Sequence, residues 1–294
     1  MSQGQGITRE QSLGEVVSKT FDLYRRDFAK YLVLFAVVGA ITGVLTTLVR
    51  RAFILPVPPA NGTPQQFLNW LPGFFGVLIP LVVLSLIVAA VFSPVAVGGA
   101  VKMASEEIVK GQADLGASIR FAISKLVRIW VLSFVVGVIV VAGLIALVVP
   151  GIIFTIMFSL AFPALLIENT GISESLGRSR KLVGHKWLKT FALALVFGII
   201  TAIASAIVSA ISGPFGWASN IVSSILSALY VPLIPIALTV YYYSNLARLA
   251  QLQVSQVPIA PAAAVQAGMK FCPSCGTQLA SSATFCSKCG ARQP

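Results

Sequence analysis

Long runs of apolar residues, separated by short polar stretches, fill most of the first 250 positions of the chain. A membrane-spanning helix needs about 20 mainly apolar residues, and six runs meet this requirement. They are residues 31–49, 73–101, 129–149, 151–167, 190–212 and 220–247. The pattern predicts an all-α fold, a polytopic membrane bundle of six spans that forms a domain of residues 1–250.

Composition supports a membrane protein and argues against an enzyme. Of the 294 residues, 57% are hydrophobic and 10% are charged, whereas soluble domains carry about 25% charged residues. The chain has a single histidine, His185, and nine Asp and Glu residues. It contains no Gly-x-Ser-x-Gly motif, no phosphate-binding loop and no paired carboxylates on a span. We therefore expect no catalytic residues and no organic cofactor.

The positions of the basic residues predict how the spans are oriented. With the N-terminus inside, four segments face the cytoplasm: 1–30, 102–128, 168–189 and 248–294. These segments hold 5, 5, 5 and 4 of the 21 Lys and Arg residues, and Arg50 and Arg51 are the two left outside. Because cytoplasmic loops are enriched in Lys and Arg, we expect a multi-pass cell-membrane protein with both termini in the cytoplasm. The first 30 residues are polar and charged, so no cleavable signal peptide is expected.

The outer side offers little sequence for a receptor or catalytic domain. Its longest loop, 50–72, is rich in proline and contains Asn61-Gly62-Thr63, a match to an N-glycosylation acceptor. Pro64 follows the motif directly. Glycosylation of Asn61 and a chance match both stay open.

The inner segments repeat one another. Residues 13–32 align with residues 172–191 at a shift of 159, and a weaker third copy begins at Leu115. Each copy precedes an outward span, and each return span has a proline near its inner end. These prolines are Pro94, Pro163 and Pro235. The chain is therefore predicted to contain three units, each an inner helix followed by a helical hairpin.

The inner helices are amphipathic, with apolar residues at spacings of three and four. In the first helix the predicted apolar stripe is Leu13, Val17, Phe21, Tyr24 and Phe28. In the copy at 172–191 it is Ile172, Leu176, Val183 and Trp187. Ser12 with Glu15, and Asp114, are predicted N-caps. Such helices either lie in the membrane interface near anionic lipid headgroups or pack as collars on the inner ends of the spans.

Four cysteines end the chain in two copies of Phe-Cys-x-x-Cys-Gly, fourteen positions apart. Cys272, Cys275, Cys286 and Cys289 have C-x2-C-x10-C-x2-C spacing, which lets four thiolates surround one tetrahedral zinc ion. Four ligands leave no open position, so we expect one structural Zn²⁺ that supplies the folding energy of residues 270–294. A redox dithiol and an iron site are the alternatives.

An uncharged stretch at 251–269, rich in Ala, Gln, Val and Pro, is predicted to be a flexible linker to this module. A tethered module suits docking of a cytoplasmic protein, and a purely structural tail is the second interpretation. The tail carries three basic residues and no acid beyond Met269, so nucleic acid binding is a third, disfavoured one. We expect Phe271 and Phe285 to pack beneath the two knuckles.

Residues 148–189 resemble the membrane domain associated with glycerophosphodiester phosphodiesterases and related six-span proteins. The resemblance rests on a predicted turn at Pro150-Gly151, on Pro163 before an apolar run ending in Glu168, and on the pattern Ser175-Leu176-x-x-Ser179-x-x-Leu182. It covers about residues 8–250 and implies the fold. In enzymes of that name a separate soluble domain performs the chemistry, so the resemblance implies no activity here. The cysteine spacing is similar to short zinc ribbons at the ends of many prokaryotic membrane and regulatory proteins.

These patterns together predict an integral membrane scaffold or regulatory protein whose cytoplasmic zinc ribbon docks a protein partner. The alternative is a transporter or carrier of a lipid or hydrophobic solute, for which prolines in the spans would provide discontinuous helices. Of the charged residues, Glu168 comes nearest to the bilayer interior, and we expect it to pair with a neighbouring basic helix. Gly39-x3-Gly43 and Ala202-x3-Ala206-x3-Ala210 predict close helix packing, within one chain or between chains.

Overall fold

A computed structural model describes residues 6–60, 62–256, 269–280 and 282–292. The chain divides into two compact units, Met1–Arg248 and Leu249–Pro294. The glycosylation motif at Asn61 lies outside the described residues.

The described part of the chain is mostly helical. The helices are α1 Leu13–Arg26, α2 Phe28–Ala52, α3 Pro64–Lys110, α4 Leu115–Ser124, α5 Leu126–Ala146, α6 Val148–Met157, α7 Ala161–Ile167, α8 Ile172–Gly184, α9 Trp187–Ser212, α10 Ser219–Leu226 and α11 Leu233–Gln256. Short 3-10 turns at Gly213–Ala218 and Ser227–Leu229 flank α10.

Five helical stretches among the described residues are long and apolar enough to cross a membrane. They are Phe28–Ala52, Pro64–Lys110, Leu126–Ala146, Val148–Ile167 and Trp187–Leu252. This set is compatible with a multi-pass membrane protein. The last stretch covers two predicted spans, 190–212 and 220–247, and the 3-10 turn Gly213–Ala218 lies between them.

Helices α1, α4 and α8 each lead directly into a longer helix through a similar backbone turn. The joining residues Asp27, Lys125 and Lys186 have φ values of −111°, −103° and −135° and ψ values of 30°, 3° and 34°. None of the three has a side chain that caps the helix it precedes. A similar break in the helical backbone therefore recurs before α2, α5 and α9.

The buried faces of α1 and α8 coincide after a shift of 159 positions. In α1 the buried residues are Val16, Thr20, Leu23 and Tyr24, and in α8 they are Ser175, Ser179, Leu182 and Val183. The same shift relates Tyr31 and Leu34, buried in α2, to Thr190 and Leu193, buried in α9.

The predicted apolar stripes are confirmed at Tyr24 and Val183, but elsewhere the buried face is shifted from them by about one position. Val17 and Leu176 are half-buried, whereas Thr20 and Ser179 are fully buried. The Thr20 hydroxyl donates to the Val16 carbonyl at 2.7 Å, so it enters the core with its hydrogen bond made. Small hydroxyl residues thus share the buried faces with bulky apolar residues such as Leu23 and Leu182.

Two predicted N-caps are confirmed. Ser12 and Glu15 form a reciprocal capping box at the start of α1. Asp114 begins α4, where its Oδ1 accepts a hydrogen bond from the Ala117 amide at 2.8 Å. These caps satisfy amide groups that a helix leaves free at its first turn.

The turn predicted at Pro150-Gly151 is wrong, because the break between α5 and α6 lies at Leu147, which has extended backbone angles of φ −165° and ψ 148°. Pro150 sits in the first turn of α6, where its missing N–H would have no partner. Gly143 and Gly151 form the contact between the two helices: a Cβ on Gly143 would lie 3.1 Å from the Cα of Gly151. The hairpin is therefore tight enough to exclude side chains at this crossing.

The two small-residue motifs differ in environment. A Cβ on Gly39 would lie 2.3 Å from the Ser224 carbonyl oxygen, and one on Gly43 would lie 3.0 Å from the Cα of Ile221. This motif packs α2 against α10 within the chain. Ala202, Ala206 and Ala210 are exposed on α9.

The second unit contains a two-stranded antiparallel sheet. Strand β1, Met269–Phe271, pairs with β2, Gln278–Ala280. Helix α11 continues to Gln256, so it extends into the predicted linker 251–269. Residues 257–268 of that linker lie outside the described part.

Candidate metal centre

The two cysteine knuckles have the same backbone structure. In the first, the Gly276 amide donates to the Cys272 carbonyl at 2.8 Å, and the Cys272 amide donates to the Thr277 carbonyl at 2.9 Å. The second knuckle repeats both bonds fourteen positions later: Gly290 to Cys286 at 2.9 Å, and Cys286 to Ala291 at 2.9 Å. Gly276 and Gly290 both have φ of 71°, a conformation that glycine adopts without strain.

These knuckles bring the four predicted ligands together. The Sγ atoms of Cys272 and Cys289 are 3.6 Å apart, as are those of Cys275 and Cys286. All four sulfurs lie within 4.8 Å of one another. A tetrahedral zinc ion with Zn–S bonds of about 2.3 Å holds its sulfurs about 3.8 Å apart. The cysteines are therefore positioned to bind one zinc ion.

The local environment favours the thiolate at Cys272. Burial opposes ionisation, but hydrogen bonds from the backbone amides of Ser274 and Cys275, and then from the thiols of Cys289 and Cys275, lower the pKa of Cys272 to about 6. In the second knuckle the Lys288 amide donates to the Cys286 Sγ at 3.4 Å. The thiolate is the form that binds metal, so these amides prepare Cys272 for a cation. Since all four positions are protein ligands, the site has the closed form of a structural zinc centre.

The prediction that the two phenylalanines pack beneath the knuckles is wrong. Phe271 is 63% exposed and Phe285 is 61% exposed. Each precedes a buried cysteine, and successive residues of an extended chain point to opposite sides. The space beneath the knuckles is filled instead by Leu279, with Ala283 and Ala291 packed against it.

Glu168, at the end of α7, pairs with a neighbouring basic helix as predicted. Its Oε1 accepts hydrogen bonds from Arg178 Nη2 at 3.0 Å and from Nε at 3.1 Å. Arg178 lies on α8, and the pair ties that helix to the end of α7.

The sequence interpretation missed Glu107, near the end of α3. Its neighbour Glu106 pairs with Lys102 at 3.3 Å and Lys110 at 3.1 Å on one side of the helix. Glu107 points the other way, and its side chain has no exposed surface. Helical spacing indicates this burial, because Glu107 lies on the same face of α3 as the buried residues Ala100 and Ala104.

A comparison with protein families matches residues 271–293 to a zinc-ribbon domain. It gives no evidence for the membrane family that residues 148–189 resemble. No curated protein and no solved structure matches the chain.

Proposed function

We propose that this chain is a six-span scaffold or regulatory protein of the cell membrane, whose zinc ribbon docks a cytoplasmic protein partner. The exposure of Phe271 and Phe285 carries the docking part of this proposal. Aromatic side chains are enriched at the energetic centres of protein interfaces. Each exposed phenylalanine offers apolar area that gains free energy when a partner covers it. The proposal assigns no reaction to the protein.

Helix length supports the count of six spans. The stretch Trp187–Leu252 has 66 residues, which at 1.5 Å per residue is about 100 Å, whereas a bilayer core is about 30 Å thick. Gly216, in the 3-10 turn between α9 and α10, has non-helical angles of φ 52° and ψ −116°. We place a reversal of chain direction at this turn, so that the stretch Trp187–Leu252 crosses the membrane twice.

The orientation follows from charge. The 19 basic residues assigned to the inner segments leave Arg50 and Arg51 outside, and the Arg51 guanidinium stacks on the Trp217 ring at 4.6 Å. Trp217 belongs to the turn assigned to the outer side, and this contact agrees with that assignment. The positive-inside rule then puts both termini in the cytoplasm.

Labelling of introduced cysteines tests this topology. The four native cysteines are replaced by serine, and single cysteines are placed at Ala60, Gln112 and His185. An impermeant reagent added to intact cells should label position 60, and it should label 112 and 185 only after permeabilisation. Labelling of 112 in intact cells would overturn the orientation.

Site-specific photo-crosslinking tests docking. A photoreactive amino acid at Phe271 or Phe285 of the full-length protein should give a discrete protease-sensitive adduct in cells. The double variant Phe271→Ala/Phe285→Ala should lose the adduct formed from a photoreactive group at Lys288 and still hold one zinc. Nuclease-sensitive adducts would assign the ribbon to nucleic acid instead. Absence of adducts from both phenylalanine positions would contradict docking.

The inner helices also present exposed basic groups to anionic headgroups. Arg180, Lys181 and His185 are exposed on and just after α8. We assign them weak, salt-sensitive attraction to anionic lipid. A peptide of residues 172–190 should gain helicity with anionic vesicles and lose it as salt rises. An equal gain of helicity with neutral vesicles would contradict binding to anionic lipid. It would favour the interpretation that these helices are structural collars.

One cavity favours the second candidate function, a carrier of a lipid or hydrophobic solute. It has a volume of about 290 Å³ and meets the prolines of all three predicted return spans, Pro94, Pro163 and Pro235. Apolar side chains such as Val97 and Leu238 make up most of the remaining wall. Apolar cavities of about 150 Å³ already bind small hydrocarbons, so this one suits part of an acyl chain.

Filling the cavity tests the carrier function. The purified protein should bind a fluorescent fatty acid saturably, and Val97→Trp should weaken that binding at least tenfold. Val138→Trp, on the exposed face of α5, is the matched control and should bind as wild type does. Equal binding by both variants would remove the support that the cavity gives to this function.

A further inference from the structure

The carboxylate of Glu107 is buried, and none of the described residues donates a hydrogen bond to it. The residue is 2% exposed, and among the described residues neither carboxylate oxygen has a hydrogen-bond partner. Arg26 Nε lies 3.5 Å from Oε1, and the Arg26 side chain is 51% exposed. The Tyr31 hydroxyl, also buried, likewise lacks a partner within the described residues.

The other charged groups facing Glu107 come from α1, α2 and the turn between them. Lys19 belongs to α1, Asp27 to the turn and Lys30 to α2. Lys30 Nζ is 2.7 Å from Asp27 Oδ1 and donates to the Ala113 carbonyl at 2.7 Å. Lys30 is therefore engaged elsewhere, and the charged form of Glu107 depends chiefly on Arg26.

This arrangement penalises the charged carboxylate. An ionised group removed from water, with no donor on either oxygen, is stabilised by taking up a proton. Glu107 lies beyond the inner end of the predicted span 73–101. Burial, followed by the negative charge of Asp27, raises the pKa of Glu107 to about 7, against the opposing charges of Arg26, Lys19 and Lys30. Those nearby cations make a proton a better ligand here than a metal ion.

We propose that Glu107 is a proton-binding site that controls whether Arg26 holds the end of α1 to α3. When Glu107 is charged, it attracts Arg26 and holds the last turn of α1 in place. When Glu107 is protonated, Arg26 loses its counter-charge and turns to solvent. Cytoplasmic pH then sets the position of the α1–α2 turn at Asp27.

A distance measurement on the full-length protein in nanodiscs tests this site. Spin labels are carried by non-cysteine amino acids at two exposed positions, Asp22 on α1 and Val109 on α3, which leaves the zinc ligands intact. The distance distribution should change between pH 5.5 and pH 8.5, with a midpoint near pH 7. Glu107→Gln should give the low-pH distribution at both values. Glu106→Gln, the matched control on the same helix, should keep the response.

Infrared spectroscopy supplies a second readout that detects the proton directly. A protonated carboxyl band should titrate with the same midpoint in wild type and be missing in Glu107→Gln. If that variant does not fold, Arg26→Gln changes a half-exposed side chain and should raise the midpoint by about one pH unit, since it removes an attractive cation. A wild-type distance that does not vary with pH would overturn the proposal, as would a carboxyl band that still titrates in folded Glu107→Gln.

Discussion

The indole Nε1 of Trp130, on α5, donates a hydrogen bond to the carbonyl oxygen of Ala90, on α3. Ala90 lies four residues before Pro94, which has no N–H to complete the helical bond to that carbonyl. Trp130 therefore satisfies an acceptor that the proline leaves free. In an apolar environment an unpaired carbonyl would be costly, so the bond both permits Pro94 and joins the two helices.

Loss of this bond should destabilise the bundle in a way that depends on Pro94. We expect Trp130→Phe to lower the free energy of unfolding by about 1–3 kcal/mol, because it leaves a carbonyl without a donor. In a Pro94→Ala background the helix supplies its own donor, and the same substitution should have a smaller effect. Unfolding in detergent micelles for all four variants measures the coupling. Equal effects in both backgrounds would contradict this account.

Ser179 should matter for the break between α6 and α7. Its hydroxyl donates to the Met157 carbonyl at 2.7 Å and accepts from the Leu160 amide at 3.2 Å. Ser179→Ala leaves both backbone groups unsatisfied, so we expect a loss of about 1–3 kcal/mol of unfolding free energy. Ser173→Ala, at an exposed position of the same helix, should be nearly neutral. An equal loss of unfolding free energy in the two variants would show that any substitution in α8 has this effect, and that the hydrogen bonds of Ser179 are not its cause.

Loss of the metal should unfold the ribbon and spare the helices. The purified protein is expected to contain about one zinc per chain, since four thiolates fill a tetrahedral site. Cys275→Ser should reduce the zinc content sharply while leaving thermal unfolding of the helical unit unchanged. Metal analysis and calorimetry measure the two effects, and Ser274→Ala serves as the control that keeps zinc. A variant that lost both zinc and helical stability would make the ribbon an integral part of the bundle.

Glu10 should respond to pH in the opposite sense to Glu107. Its Oε1 lies 2.8 Å from Lys189 Nζ and 3.2 Å from Lys186 Nζ. Burial opposes ionisation, but hydrogen bonds and charge from Lys189 and Lys186 outweigh it and lower the pKa of Glu10. Its stabilising contribution is therefore full above the ordinary carboxyl pKa and is lost as pH falls through the lowered value.

Because Glu10 is partly exposed, Glu10→Gln should lower the unfolding free energy by only about 0.2–1 kcal/mol at pH 7. The difference from wild type should be smaller at pH 3 than at pH 7 and should shrink in high salt. Unfolding curves at the two pH values test this, with Glu174→Gln, at an exposed position of α8, as the control. An equal difference at pH 7 and pH 3 would point to a packing role for Glu10.

Features set by short stretches of sequence were predictable. The Ser12–Glu15 capping box needs four residues, and each cysteine pair needs a knuckle of six. Their geometry is fixed within one or two turns of backbone, so distant packing does not alter it. The pairing of Glu168 followed from the density of basic residues in the next helix.

Features that depend on which side chain faces a neighbour were not predictable from hydropathy. Thr20 and Ser179 count as polar but are buried with their hydroxyls bonded to backbone carbonyls. Phe271 and Phe285 count as core residues but point away from a ribbon core that small residues already fill. Glu107 faces the α1–α2 turn because of how α3 is rotated about its own axis. The sequence of α3 does not determine that rotation.

The tight crossing of α5 and α6 makes the chain intolerant of a substitution that is normally mild. Alanine favours a helix over glycine by about 1 kcal/mol, so replacing a helical glycine often raises stability. At Gly151, however, a methyl group would come within 2.4 Å of Leu144 side-chain carbons and 2.9 Å of its backbone nitrogen. In a saturation screen Gly143 and Gly151 should therefore accept no other amino acid, whereas Gly198, with open space around it, should accept many.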